Sequence, residues 1–131
     1  MDSKIKVLEE VSTHLNQGWF VFGSMGLKLK GRDVDPDDVD IWTTDRNAEQ
    51  LREVLSDKLV ETIEVGDGPT SDVDVYQVHG EELEVIYGNK YIDFTETEEV
   101  NGFPVLVDQA FAEMYQVIGD EVKARMLMPD I

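Results

Sequence analysis

The sequence predicts an α+β domain in which a mixed β-sheet is flanked by helices. Apolar residues recur with helical spacing near both ends of the chain and again after residue 43. Between these helices lie short apolar or alternating runs that turn residues separate, as expected for strands. At 131 residues the chain is long enough for one hydrophobic core, so we expect residues 1–131 to form a single domain.

The first helix is predicted from about Lys4 to Leu15, with Ser3 as its N-cap and Gly18 as its C-terminal stop. Its apolar face collects Ile5, Val7, Leu8, Val11 and Leu15. The first strand follows at Trp19–Phe22. Because this strand is apolar on both faces, we expect it to be covered from both sides.

A second long helix is predicted after residue 43, capped by Thr44, Asp45 or Asn47 and extending to about Leu59. Its inward residues would be Ala48, Leu51, Val54, Leu55 and Leu59. A strand near Val60–Val65 follows this helix.

Two hairpins are predicted in the second half of the chain. The loop Gly66-Asp67-Gly68-Pro69 leads to strands at Val73–Val78 and Leu83–Tyr87, which four residues separate. Asn101-Gly102 is a tight-turn pair between two short strands, which are Glu98–Val100 and Phe103–Leu106.

The last predicted helix begins at Asp108, which would cap it. Its apolar face would contain Phe111, Met114, Tyr115, Ile118 and Val122. The polar residues 89–99 show no clear periodicity, so their structure stays open.

The charge balance restricts the partners that the protein can bind. Acidic residues number 29 against 11 basic ones, which gives a formal net charge of −18. Such a surface repels a nucleic acid duplex and anionic lipid, so neither is an expected partner. We expect a halophilic origin, since a salty cytoplasm screens the self-repulsion. Without cysteine there are no disulfides or thiolate metal sites, and without an apolar leader we expect a cytoplasmic protein.

The first strand leads into two features of a metal-assisted transfer site. Gly23-Ser24 opens a short helix, whose free backbone N–H groups favour an anion such as a triphosphate. Asp38 and Asp40 then occupy alternate positions of a second strand, so their carboxylates project from one face. Two carboxylates so close repel each other unless a divalent cation such as Mg²⁺ lies between them. Trp42 shares this face, where it would line the pocket or pack in the core.

The arrangement resembles the signature of the nucleotidyltransferase superfamily related to DNA polymerase beta. The signature reads here as Phe22-Gly23-Ser24, thirteen intervening residues, and Asp38-Val39-Asp40. The rest of the chain is similar to the minimal, small-substrate branch, which includes antibiotic and toxin–antitoxin nucleotidyltransferases. The resemblance implies a nucleotidyltransferase-like fold, Mg²⁺ or Mn²⁺ held by Asp38 and Asp40, and an NTP bound at Gly23 and Ser24.

The superfamily also uses a third carboxylate, on a later strand, as general base and metal ligand. Glu84, in Leu83-Glu84-Val85, resembles the family's position best. Asp74 is the competing candidate and Asp93 is a weaker third. The family more often has Asp at this position, so Glu84 is a departure from the pattern that leaves either role intact.

Two groups of basic residues bear on nucleotide binding. Lys28, Lys30 and Arg32 form a cluster that either attracts an anion or faces solvent. Active members of the small-substrate branch often carry a Lys on the last helix that reaches the triphosphate. Lys123 and Arg125 come only near the end of the predicted helix, so the sequence shows no clear counterpart, which is a second departure.

The favoured interpretation is an enzyme that transfers NMP from an NTP, with ATP as first choice, to a hydroxyl of a small molecule or a partner protein. Because no helical substrate domain follows, the acceptor pocket could need a second subunit, and we expect a homodimer. The alternative is a catalytically decayed module that binds a partner or acts like an antitoxin. The two departures favour the alternative, whereas the intact Gly23-Ser24 and Asp38-x-Asp40 pairs argue against it.

Overall fold

The structure is a computed structural model, which describes residues 2–64, 71–88 and 92–130. These residues form a seven-stranded mixed sheet with helices on both faces, which confirms the predicted fold class. The strands are β1 (Trp19–Phe22), β2 (Val39–Thr43), β3 (Leu59–Ile63), β4 (Asp72–Val78), β5 (Glu81–Tyr87), β6 (Thr97–Val100) and β7 (Phe103–Leu106). The helices are α1 (Asp2–His14), α2 (Gly23–Leu29), α3 (Asp45–Val54), α4 (Asp108–Val117) and α5 (Glu121–Leu127), with a short 3-10 helix at Ser56–Lys58.

The strands follow the order β3-β4-β5-β2-β1-β7-β6 across the sheet. β2 is parallel to β5 and β1 is parallel to β7, while all other neighbours are antiparallel. β2 therefore lies at the centre, between β5 and β1. None of the helices in the described ranges has the length and apolar content that a membrane span needs.

The two faces of the sheet are covered by different helices. α1 and α3 pack on the face that bears Val39 and Ile41, both of which are fully buried. α4 packs on the other face, where the rings of Phe111 and Tyr115 contact Phe22 of β1. Because side chains alternate along β2, its polar and half-buried positions lie on this second face.

The first helix and strand lie close to their predicted bounds. β1 has the predicted bounds, and all four of its residues are buried. α1 starts earlier than predicted, so Ser3 lies inside the helix rather than at its N-cap, and its hydroxyl donates to Glu81 at 2.8 Å. Gly18, with φ +75°, immediately precedes β1 and does not end the helix, which stops at His14.

The second long helix is shorter than predicted. Thr44 is its N-cap and accepts a hydrogen bond from the backbone of Asn47 at 3.2 Å. The helix ends at Val54, which is 44% exposed, and Leu59 already begins β3, so neither residue faces inward from the helix as predicted. A 3-10 turn through polar residues, which compete with helical backbone bonding, separates the two elements. The predicted loop at residues 66–69 lies outside the described residues.

Both predicted hairpins are confirmed. β4 and β5 are joined by His79-Gly80, whose φ values of +53° and +77° suit a tight two-residue turn. β6 and β7 are joined by Asn101-Gly102, with φ values of +54° and +87°. In both turns the second position is glycine, which adopts this backbone region without steric cost.

The predicted last helix is in fact two helices. Gly119, with φ +83°, breaks the chain direction, and the side chain of Asp120 accepts from the backbone N–H of Lys123 at 3.1 Å to cap α5. Ile118 and Val122, which were expected to face inward, are 60% and 76% exposed as a result. The break turns α5 back along α4.

Candidate active site

Three carboxylates lie close together at the N-terminal end of β2. Asp38 precedes β2 by one residue, Asp40 lies on β2, and Glu84 is the register partner of Asp40 on the parallel strand β5. Ligand oxygens from all three lie within 4.8 Å of one another, and no second cluster of this kind occurs in the described ranges. Strand alternation brings Asp38 and Asp40 to one face, and the parallel register adds Glu84 to them. We call these residues the acidic triad.

The carboxylates of the acidic triad perturb one another. The pKa of Asp40 is raised to about 9 by burial, by a hydrogen bond with Glu84, and by the charges of Asp38 and Glu84. The pKa of Asp38 is raised as well, first by burial and then by the charge of Glu84. One oxygen of Asp40, Oδ1, is buried without a hydrogen-bond partner among the described residues. A divalent cation would offset this repulsion, so the all-oxygen donor set fits Mg²⁺ or Mn²⁺.

Gly23 lies directly against the acidic triad. Its φ of +65° is a backbone conformation that residues with side chains rarely adopt. A β-carbon added at this position would lie 2.5 Å from Oδ2 of Asp40. The glycine of the sequence motif is therefore required both by the turn into α2 and by the close approach of the Asp40 carboxylate.

Ser24 is the second residue of α2, immediately beside Gly23. The N-cap of this helix is Phe22, whose side chain makes no cap hydrogen bond, so Ser24 is not the cap. The backbone N–H groups of the first turn therefore have no side-chain cap, and the first of them belongs to Gly23, the residue that contacts Asp40.

Lys123 is a cation beside the acidic triad that the sequence reasoning missed. Its Nζ lies 3.7 Å from a carboxylate oxygen of Asp120 and 5.6 Å from the ring centroid of Tyr115. Its positive charge opposes the rise in pKa that burial and neighbouring carboxylates cause at Asp38 and Asp40. The residue reaches this position because the chain turns back at Gly119, a signal that the sequence already contained.

Two of the three residues in the predicted basic cluster, Lys30 and Arg32, form ion pairs. Lys30 has a side chain that is only 3% exposed, and its Nζ pairs with Asp108 at 2.5 Å and Glu98 at 3.1 Å. Arg32 also contacts Asp108, and its Nε donates to the carbonyl of Met126 at 2.8 Å. These bonds tie α2 to α4 and to the end of α5, so neither residue is a free anion site. Asp108 is correspondingly not the cap of α4, whose N-cap is the preceding residue.

Asp74, the competing third carboxylate, belongs to a different arrangement. It is fully buried and accepts hydrogen bonds from Arg52 at 2.8–3.2 Å and from two nearby hydroxyl groups. Its register partner on β5 is Val85, so Asp74 points to the α3 face of the sheet, away from the acidic triad. Asp93 is exposed and accepts hydrogen bonds from the backbone and hydroxyl of Thr95.

Trp42 lies on the same face as Asp40, as strand alternation predicts, and it is half-buried. Its indole packs edge-on against Phe22, with ring centroids 5.8 Å apart at 82°. The residue therefore borders the acidic triad and also packs against the core.

Comparisons with known proteins agree with this geometry. A family model described as aminoglycoside-2''-adenylyltransferase matches residues 4–123. No curated protein sequence matches the chain significantly.

Solved structures with a similar fold include a provisionally assigned nucleotidyltransferase and two structures of ANT(2'')-Ia. A provisionally assigned nucleotidyltransferase from Thermotoga maritima, TM1012, has 20% identity and a TM-score of 0.75, covering 94% of this chain and 89% of that one. ANT(2'')-Ia in complex with adenylyl-2''-tobramycin has 14% identity and a TM-score of 0.60, covering 96% and 86%. A solution structure of the antibiotic-resistance factor ANT(2'')-Ia has 12% identity and a TM-score of 0.63, covering 98% and 82%. At these identities the structures establish a shared fold.

Proposed function

This chain belongs to the aminoglycoside-2''-adenylyltransferase family, and we propose that it transfers the nucleoside monophosphate of an NTP, ATP in the first instance, to a hydroxyl group. The observation that supports this proposal most is the acidic triad, whose oxygens lie within 4.8 Å of one another beside the uncapped start of α2. Asp38, Asp40 and Glu84 would hold Mg²⁺ or Mn²⁺. Gly23 and Ser24 would bind the β- and γ-phosphates through backbone N–H groups and the serine hydroxyl.

In the proposed reaction the chain orients the two substrates and moves one proton. The acceptor oxygen attacks the α-phosphorus while its proton passes to Glu84, and the bond from the α-phosphorus to the bridging oxygen breaks to release pyrophosphate. Bound Mg²⁺ supplies charge neutralisation on the phosphate oxygens. The carboxylate of Asp40 lies against the backbone of Gly23. The phosphate-binding residues and the metal-binding carboxylates therefore cannot move independently of each other.

Lys123 is the proposed counterpart of the lysine that active members of the branch carry on the last helix. Its effect on the pKa values of Asp38 and Asp40, which are raised mainly by burial, places its positive charge near the acidic triad. From there it would pair with the triphosphate. In this role Lys123 would supply the lysine for which the sequence shows no clear counterpart, which supports the enzyme interpretation over a decayed, partner-binding module.

For the acceptor we propose a cationic small molecule that carries hydroxyl groups, such as an amino sugar. The acidic surface continues from the acidic triad to Glu82, whose pKa is raised by burial and by the charges of Glu84, Asp38 and then Glu61. A positively charged acceptor would relieve this repulsion. ANT(2'')-Ia, which has the same fold, is described in complex with adenylyl-2''-tobramycin, an adenylylated amino sugar.

The proposal is tested first by calorimetric titration of ATP and GTP with Mg²⁺ in molar KCl. We expect binding in the wild type and none in Asp40→Asn, whereas the matched control Asp35→Asn, at an exposed position, should bind like the wild type. Wild-type protein that is folded but binds neither nucleotide would instead favour the partner-binding module. Pyrophosphate release in the presence of amino sugars then tests the acceptor class.

The homodimer remains a proposal that light scattering in molar KCl can test. Two apolar side chains of β3, those of Val60 and Ile63, are 59% and 45% exposed. A monomer that transfers NMP at full rate would contradict the dimer and leave the proposed reaction standing.

A further inference from the structure

Tyr115 lies beside the acidic triad but has no role in the reaction proposed above. It is on α4 and only 2% exposed. Its ring stacks on Phe22 of β1, with centroids 5.1 Å apart and 28° between the planes. Phe22 is in turn the register partner of Asp40 across the β1–β2 pair. The neighbouring strand therefore holds Tyr115 next to Asp40.

Three buried polar atoms around Phe22 have no partner among the described residues: the hydroxyl of Tyr115, Oδ1 of Asp40 and Nε1 of Trp42. Buried polar groups are normally hydrogen-bonded, and each exception calls for an explanation. Oδ1 of Asp40 is the acceptor of the three, whereas the tyrosine hydroxyl and the indole N–H are donors. No direct hydrogen bond joins Tyr115 to Asp40 in this structure.

A tyrosine hydroxyl is protonated at neutral pH, so the Tyr115 hydroxyl can donate a hydrogen bond. Carboxylates that hold a metal are themselves usually hydrogen-bonded, and the donor fixes which of their oxygens faces the ion.

Resting on the proposed function, we infer that Tyr115 is a positioning residue whose hydroxyl donates to Oδ1 of Asp40, directly or through one water, when a divalent cation is held by the triad. The other oxygen, Oδ2, is the one that approaches Gly23. The donor would keep the carboxylate in one orientation. It would act through Asp40 and would not touch the reacting atoms.

A purely structural role for Tyr115 predicts a different result. The ring packs against Phe111 and Phe22 at centroid distances of 5.2 and 5.1 Å, and this packing does not depend on the hydroxyl. Tyr115→Phe therefore separates the two roles, since it deletes only the donor. Tyr76→Phe is the matched control: Tyr76 is also fully buried, but it lies on the opposite face of the sheet near Asp74.

The experiment is a titration of Mn²⁺, without nucleotide and in molar KCl, followed by electron paramagnetic resonance of the free ion. Asp40→Asn defines the signal that belongs to the acidic triad. We expect Tyr115→Phe to weaken this binding roughly tenfold, as loss of an outer-shell partner does. The thermal midpoint of the metal-free variant should not fall, and Tyr76→Phe should bind Mn²⁺ like the wild type.

Equal Mn²⁺ affinity in Tyr115→Phe and wild type would overturn the inference and leave the proposed function intact. Equal weakening in Tyr76→Phe would overturn it too, because the effect would then be a general loss of packing. Wild-type protein without Asp40-dependent Mn²⁺ binding would contradict the proposed function itself, and the inference with it.

Discussion

Gly23 and Asp40 are in direct contact, so closely that a β-carbon at residue 23 would lie 2.5 Å from Oδ2 of Asp40. The two residues are seventeen positions apart in sequence, but Gly23 directly follows Phe22, the last residue of β1, which is the register partner of Asp40 on the antiparallel strand β2. The phosphate-binding half and the carboxylate half of the motif are therefore one packed unit. A substitution in either half should therefore alter the geometry of the other half.

Gly23→Ala tests this contact. The alanine would be strained at φ +65° and would displace the Asp40 carboxylate, so we expect a loss of about 1–3 kcal/mol of unfolding free energy together with loss of Mg²⁺–ATP binding. Gly31→Ala is the matched control, because Gly31 has φ +82° but open space around its Cα. Gly31→Ala should lower the free energy of unfolding in urea through backbone strain alone and should bind nucleotide like the wild type. Retained ATP binding in Gly23→Ala would contradict the required close approach.

Asp40→Asn should stabilise the metal-free protein at high pH. The pKa of Asp40 is raised to about 9, chiefly by burial, so between its unfolded value of 3.8 and this value the folded state retains a proton that the unfolded state has lost. Unfolding free energy therefore falls as pH rises through this window. Asparagine removes that dependence.

At pH 8 we expect the Asp40→Asn variant to exceed wild type by about 1–3 kcal/mol in urea unfolding with chelator present, since each pKa unit corresponds to about 1.4 kcal/mol. The difference should vanish near pH 4. Asp35→Asn, which removes the same charge at an exposed site, serves as the control. An Asp40→Asn variant that is less stable than wild type at pH 8 would contradict the burial of Asp40 and its repulsion by the other carboxylates of the acidic triad.

Glu84 and Asp74 should give opposite patterns when each is neutralised. Glu84→Gln removes a triad carboxylate, so we expect loss of metal-dependent ATP binding with little loss of stability. Asp74→Asn breaks the buried pair with Arg52 on the other face, so we expect a loss of about 2–4 kcal/mol with nucleotide affinity unchanged at a temperature where the variant is folded. Loss of metal binding in Asp74→Asn alone would make Asp74 the third carboxylate.

The sequence predicted those parts of the site that depend on local geometry. Strand alternation brings Asp38 and Asp40 together without any knowledge of the rest of the fold. Glu84 could be ranked above Asp74 only by resemblance, because the register between β2 and β5 decides which strand position faces the pair. That register is a property of the whole sheet.

The predictions that failed depended on contacts between distant segments or on where helices end. Lys30 looked like a free cation, yet its partners Glu98 and Asp108 are 68 and 78 residues away. Lys123 was judged too far along the last helix because the apolar spacing continues through Gly119. The glycine in fact ends that helix, and the chain turns back so that Nζ of Lys123 lies 5.6 Å from the ring centroid of Tyr115 on α4.

The acidic composition should make stability depend on salt. With a formal net charge of −18, self-repulsion in the folded state falls as the screening length shrinks from about 10 Å at 0.1 M salt to about 3 Å at 1 M. We expect unfolding free energy in urea to rise between 0.1 and 1 M KCl. A triple variant, Glu53→Gln with Glu64→Gln and Glu99→Gln, neutralises exposed acids outside the site and should reduce this slope. Salt-independent stability would contradict the halophilic interpretation.

Lys123→Gln should weaken ATP binding without weakening the binding of Mn²⁺. The ammonium opposes the mutual repulsion of the triad carboxylates, and it would repel an incoming cation. Without it, Mn²⁺ should bind at least as tightly as in wild type when no nucleotide is present. ATP should bind about tenfold or more weakly, since a charge-assisted hydrogen bond to phosphate contributes roughly 1.5–3 kcal/mol.

Arg125→Gln is the matched control for this change. Arg125 lies on the same helix with a side chain that is 64% exposed, paired only loosely with Glu121 at 3.8 Å. Its loss should leave both affinities unchanged. A residue that only supported α5 would lower the Mn²⁺ and ATP affinities together when replaced. Parallel losses in Lys123→Gln would therefore remove Lys123 from the phosphate site, whereas divergent changes would assign it there.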